Sequence, residues 1–116
     1  MSENTLENAR DDAPGLLLVM MEIKPEREEE FNRWYNEEHV PERLAIPGFR
    51  KARRFKAVEG EPKYLALYEL DSPAVLETET YKYWTGQGTP PWTESVLSAL
   101  TQFVRHVYVA ILSVEA

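Results

Sequence analysis

His39 and His106 are the only imidazoles in the chain, and cysteine is absent. Without cysteine there are no disulfides, thiolate nucleophiles or thiolate metal sites. A histidine titrates near working pH, so a well-placed one moves a proton without a cofactor. His39 stands in the stretch YNEEHVPERLAIPGF, residues 35–49. Tyr35 lies four residues earlier on the same helical face, where it could hydrogen-bond a substrate oxygen or hold the ring. Glu38 falls in the same apolar stripe, where an unpaired carboxylate is costly. It either finds a partner or sits in a pocket with a raised pKa and works as an acid or base. The competing reading of His39 is structural, because a helix's last turn favours a charged imidazole.

The other polar candidates carry alternatives of the same kind. A metal would need His39, His106 and a carboxylate such as Glu38 to converge, so no metal and no cofactor are expected. His106 and Tyr108 share one face of a strand; they line a pocket or an interface, depending on which way that face turns. In the basic run RKARRFK (50–56), alternation sends Arg50, Ala52, Arg54 and Lys56 one way and Lys51, Arg53 and Phe55 the other. The run protects a sheet edge from runaway pairing, or one arginine, Arg54 or Arg53, grips a substrate carboxylate with two prongs. Among the aromatics, Trp34, Tyr35 and Tyr68 fit a core or a pocket wall. Trp84 and Trp92 bracket a Gly/Pro-rich loop, as residues of a lid over a ring-shaped ligand would. The chain has no GxSxG elbow, HExxH, phosphate-binding loop or dinucleotide fingerprint.

These side chains need elements to hold them. LLLVMMEIK (16–24) is an uninterrupted apolar run of strand length, suited to a central strand covered on both faces. Pro25 followed by Glu26, Glu28 and Glu29 opens a helix. Phe31, Trp34, Tyr35, Glu38 and His39 then share one helical face, and Pro41 is predicted to end that helix near Val40. After an Ile46-Pro47-Gly48 turn come strands over 49–58 and 63–70. Asp71-Ser72-Pro73 marks a second helix over about 74–84, weakened by Thr78 and Thr80. A loop (85–91), a short helical stretch (92–100) and a last strand (102–114) complete the chain. Residues 1–14 are polar and acidic, which predicts a flexible extension ahead of a single domain over 15–116.

The order β-α-β-β-α-β is a ferredoxin-like α+β arrangement: a four-stranded antiparallel sheet with helices on one face. The other face contains apolar residues and needs a cover, which predicts a homodimer packed sheet to sheet. The helix ending in His39, with Pro47-Gly48 leading into the second strand, resembles the dimeric α/β barrel superfamily, in its EthD-like and muconolactone-methylisomerase-like branch. The resemblance covers about residues 16–114. It implies a dimeric α/β barrel with a small-molecule pocket in each protomer. Members of the superfamily include cofactor-free isomerases, polyketide cyclases, monooxygenases and heme-degrading enzymes. The segment WTGQGTPPWT (84–93) departs from that pattern.

Composition narrows the functional classes. Twenty acidic against thirteen basic residues give a formal charge of −7, a surface that repels nucleic acid. No apolar run approaches the ~20 residues of a membrane span. The opening residues lack the apolar stretch of a signal peptide, so a soluble, cytoplasmic protein is expected. The reading that emerges is a cofactor-independent acid–base enzyme of isomerase, cyclase or lyase type, acting on a small aromatic, lactone or polyketide-like molecule. The catalytic candidates are His39, Tyr35 and Glu38; the binding candidates are Trp34, Arg54, Tyr68, Trp84, Trp92 and His106. The alternatives are a binding dimer without turnover and a monooxygenase that uses heme or oxygen directly.

Overall fold

The computed structural model describes residues 13–116; the extension expected over residues 1–14 lies, except for Ala13 and Pro14, outside them. Strand β1 (Gly15–Ile23) is followed by a 3-10 turn (Pro25–Arg27) and a long helix in three parts. These parts are α1 (Glu28–Trp34), a π-helical segment (Tyr35–His39) and α2 (Val40–Leu44). Strands β2 (Phe49–Lys56) and β3 (Tyr64–Leu70) precede a second 3-10 turn (Pro73–Glu77), α3 (Glu79–Thr85), α4 (Pro91–Leu97) and β4 (Leu100–Val109). The sheet order is β2-β3-β1-β4, antiparallel at every pairing, which is the ferredoxin-like fold.

Alternation divides the sheet into two faces. Leu17, Val19, Met21 and Ile23 of β1 and Tyr64, Ala66, Tyr68 and Leu70 of β3 are buried under the helices. They meet Phe31, Trp34 and Tyr35 from the long helix, plus Ile46, Phe49 and Val96. β1 is central, as its apolar run predicts, and β2 is an edge strand.

The long helix differs from expectation at Pro41, which does not end it. The Val40 N–H reaches back five residues to the Tyr35 carbonyl, making the turn before Pro41 a π-turn. A proline inside a regular helix collides with the carbonyl four residues earlier; the widened turn relieves that contact and the helix runs on to Leu44. In the widened turn, residues four apart stay aligned, so Phe31, Tyr35, His39 and Arg43 form one buried row while Glu38 turns half outward. The second helix also splits. Thr78 adopts an extended conformation and caps α3, its hydroxyl oxygen accepting the Tyr81 N–H at 3.3 Å.

Gly48 closes the turn into β2 with φ +99°, and a Cβ there would lie 2.4 Å from a methyl of buried Val75. That position needs glycine on two counts, dihedral and space.

Candidate functional site

A cavity of about 220 Å³ lies between the helix face of the sheet and the α3–α4 segment. Its floor is apolar: Leu17, Val19 and Met21 of β1 and Phe103 of β4. Its walls bring His39, Arg43, Tyr68, Tyr81, Trp84 and Arg105 together, with Thr85, Thr89, Thr93 and Leu97 from the α3–α4 side.

His39 is held between aromatics. Its ring stacks on Trp34 (centroids 4.5 Å apart, 25° between planes) and meets Tyr35 edge-on at 5.0 Å. It is only 7% exposed, and its Nδ1 is buried with no hydrogen-bond partner among the described residues. Burial, reinforced by the positive charges of Arg43 and Arg54, pulls its pKa down to about 3. The ring is therefore neutral across the working range, unlike the charged ring that a helix's last turn would favour. The helix runs five residues past His39 to Leu44, which removes that stabilisation.

Tyr68 lines the cavity and donates its hydroxyl hydrogen bond to the Tyr35 oxygen at 3.2 Å. Burial raises both phenols' pKa values, so both stay protonated. Tyr35 itself sits behind Tyr68 and His39 rather than on the cavity wall. Glu38 is not on the wall either. It accepts a hydrogen bond from Thr93 Oγ1 at 3.0 Å, and that oxygen accepts one from Trp34 Nε1 at 2.9 Å. The chain Trp34–Thr93–Glu38 ties α4 to the long helix, and Trp34 is wholly buried core beside it.

Three other candidates lie elsewhere. Arg54 faces the helices but occupies a separate, open depression with Asn32 and Tyr64. Its guanidinium donates to Asn36 and Asn32, each at 2.8 Å, and stacks 4.3 Å over the Tyr35 ring. Trp92 turns outward, its indole N–H donating to Glu30 at 3.1 Å with Arg33 over its ring. Only Trp84 of the expected tryptophan pair closes the cavity. His106 pairs with Leu18 across the β1–β4 ladder, a register that sets it on the face opposite the helices, away from the cavity.

Several lining residues escape a reading of the sequence: Arg43, Thr93 and Arg105. Arg43 had a signal, since it stands four residues after His39, but the expected stop at Pro41 hid it. Thr93 adjoins Trp92, and α4 turns the small residue inward instead of the large one. Arg105 belongs to the β4 face that carries Phe103 and Val107, and parity alone does not say which face that is.

The fold and cavity together define a ferredoxin-like α+β domain with a small, partly open site under its helices. Residues 15–107 match the family described as "Domain of unknown function (DUF4286)", and the chain belongs to that family. No curated protein matches it. Among solved structures, a dimeric ferredoxin-like protein from an uncultured marine organism is 16% identical with TM-score 0.69, the match covering 95% of this chain and 98% of that one. SnoaB, a cofactor-independent oxygenase from Streptomyces nogalater, is 10% identical with TM-score 0.67, covering 90% and 99%. A candidate antibiotic biosynthesis monooxygenase from Bordetella bronchiseptica is 12% identical with TM-score 0.67, covering 86% and 99%. At these identities the likeness establishes the fold. Among the described residues, no helix is long and apolar enough to cross a membrane.

Proposed function

We propose that this protein is a cofactor-independent acid–base enzyme whose cavity takes a small aromatic, lactone or polyketide-like molecule, with His39 as the proton carrier. The observation that carries this reading is the His39 ring, which lines a largely apolar cavity while its Nδ1 has no partner among the described residues. A buried polar atom left unsatisfied costs ~1–3 kcal/mol, and such a cost in a folded protein calls for a functional reason. The neutral ring accepts a proton from an acidic C–H or O–H of the substrate. The resulting anion stands beside Arg43, whose charge opposes the protonated ring until that anion forms. Return of the proton to a different atom completes an isomerisation, cyclisation or elimination. The cofactor-free isomerases and polyketide cyclases of the superfamily that the sequence resembles support this reading.

A cofactor-independent oxygenase would begin with the same proton removal, and the structural likeness to SnoaB, itself a cofactor-independent oxygenase, supports this second reading. A heme-dependent version fits poorly, since a porphyrin exceeds a cavity of about 220 Å³ and the His39 ring is clamped between two aromatics. The functional unit in this proposal is a homodimer, a dimeric α/β barrel closed by the open sheet faces.

Native mass spectrometry of the purified protein, followed by an ultraviolet–visible screen of aromatic, lactone and polyketide-like compounds, tests the reading. With a substrate found, His39→Ala is expected to lower turnover by about 10² or more while leaving the fold intact by circular dichroism. Turnover unchanged in a folded His39→Ala protein would retire His39 as the catalyst.

A further inference from the structure

The hydrogen-bonding character of the cavity wall specifies more than its size. Among the described residues, no carboxylate lines it, whereas two guanidinium groups do, in a chain whose formal charge is −7. Those two groups meet at one residue. Arg105 Nη2 donates to the Tyr81 hydroxyl oxygen at 3.1 Å, and the Arg43 guanidinium stands 5.8 Å over the Tyr81 ring. Arg43 also donates to Glu42 at 2.8 Å, which offsets part of its charge, while Arg105 has no ion-pair partner among the described residues. Each guanidinium carries five N–H donors, so both keep donors in hand.

The threonines contribute no protons. Thr85 Oγ1 donates to the Tyr81 carbonyl at 3.0 Å, Thr89 Oγ1 to the Gly86 carbonyl at 2.8 Å, and Thr93 Oγ1 to Glu38 at 3.0 Å. The donors left to a ligand at the Tyr81 end of the cavity therefore belong to the two arginines and to Tyr81's own O–H. A neutral ligand would leave Arg105 without a counter-charge and Arg43 with Glu42 alone. An anionic oxygen pair matches them, because carboxylate and guanidinium pair through two parallel hydrogen bonds. Trp84 and Phe103 add apolar ring surfaces to the wall, suited to ring faces. At about 220 Å³ the cavity is smaller than the ~300–1,000 Å³ of drug-sized sites, room for one or two fused rings.

Resting on the reading of this cavity as a substrate site, we infer that its ligand is a planar aromatic carboxylate. Its anionic end is held by Arg105 and Arg43 around Tyr81, and its ring lies toward His39. Arg105 is then the residue that selects charge, and its place on an edge strand leaves it replaceable without disturbing the core.

Isothermal titration with 2-naphthoate and its uncharged counterpart 2-naphthamide tests the inference on the full chain. Quenching of tryptophan emission, compared between the wild type and Trp84→Phe, locates the site. The carboxylate is expected to bind at least ~10-fold tighter than the amide, the least that one charge-assisted contact gives. That preference is expected to vanish in Arg105→Gln, survive in Arg105→Lys, and come with quenching that Trp84→Phe abolishes. Equal binding of the two probes overturns the charge assignment and leaves the cavity reading standing. A preference that persists in Arg105→Gln overturns the role of Arg105. Binding of neither probe overturns this inference together with the ring-sized site beneath it.

Discussion

His39 has two ring nitrogens, little exposure and a pKa held near 3 against an ordinary 6.5, with burial the main cause and Arg43 the next. That combination makes the folded state sensitive to acid. Between those two values the unfolded chain binds a proton that the folded ring refuses, so stability rises with pH across this window. The contribution is complete above about pH 6.5 and is lost as pH falls toward 3. His39→Gln removes the titration and keeps a polar side chain of similar reach. Urea denaturation at pH 7.5 and 4.5 is expected to show the wild type losing roughly 2 kcal/mol more than the variant between the two conditions, the free energy of about two pKa units at one site, discounted for relaxation. Equal losses in both proteins would mean that the ring is hydrated and free to charge. At this scale the sequence was informative about type and less so about direction. It marked His39, Tyr68 and Trp84, all on the cavity wall. It also marked Trp34, Tyr35, Glu38, Arg54, Trp92 and His106, which lie behind, beside or across the sheet from that wall. A residue's chemistry is written in its type, but the face it presents depends on helix register and sheet parity.

The elements explain where legibility stopped. Period-two alternation in β3, and an apolar run between two partners in β1, follow from burial alone, so both strands were readable. The π-segment was not, because nothing in YNEEH distinguishes an i→i+5 turn from a regular one until Pro41 has to be accommodated. Missing that turn hid Arg43, and with it the cationic side of the cavity. Thr78 was readable only as a weak point; its capping of α3 emerges once Ser72 has already started a separate turn. The Pro47-Gly48 turn was legible and has a measurable requirement. Gly48 and Gly60 both have positive φ, +99° and +105°, but a Cβ at Gly48 strikes Val75 while one at Gly60 meets nothing within 4 Å. Gly60→Ala is expected to cost about 1 kcal/mol, the dihedral term alone. Gly48→Ala is expected to cost roughly 2–4 kcal/mol, since overpacking against a buried side chain adds to it. Thermal melts of the pair check this; similar losses would mean that Val75 moves aside freely and that the turn does not fix the packing beneath the helix that carries His39.

At the scale of the whole molecule, we propose that the open sheet face sets the assembly. Leu16, Leu18 and Met20 of β1, Leu65 and Leu67 of β3, and Val104 of β4 share that face and are only partly buried, while Phe55 is 44% and Tyr108 49% exposed. β2 adds Lys51 and Arg53 at one edge, charges that discourage open-ended strand pairing without covering the middle. Each 100 Å² of such a face left in water forgoes about 2.5 kcal/mol of burial, a driving force toward a covering partner. A second copy is the occupant we propose for this surface, with the apolar centre at the two-fold axis and the charged β2 edge at the rim. Sedimentation is expected to give a dimer at micromolar concentration. Leu18→Glu, in the middle of the face and away from the cavity, is expected to give a folded monomer, since two carboxylates would meet near the axis without partners. His106 sits directly opposite Leu18 in the ladder, so in the wild type it would lie near the dimer centre. A wild-type monomer at that concentration would rule out the barrel, and an undisturbed dimer in Leu18→Glu would move the interface to another surface.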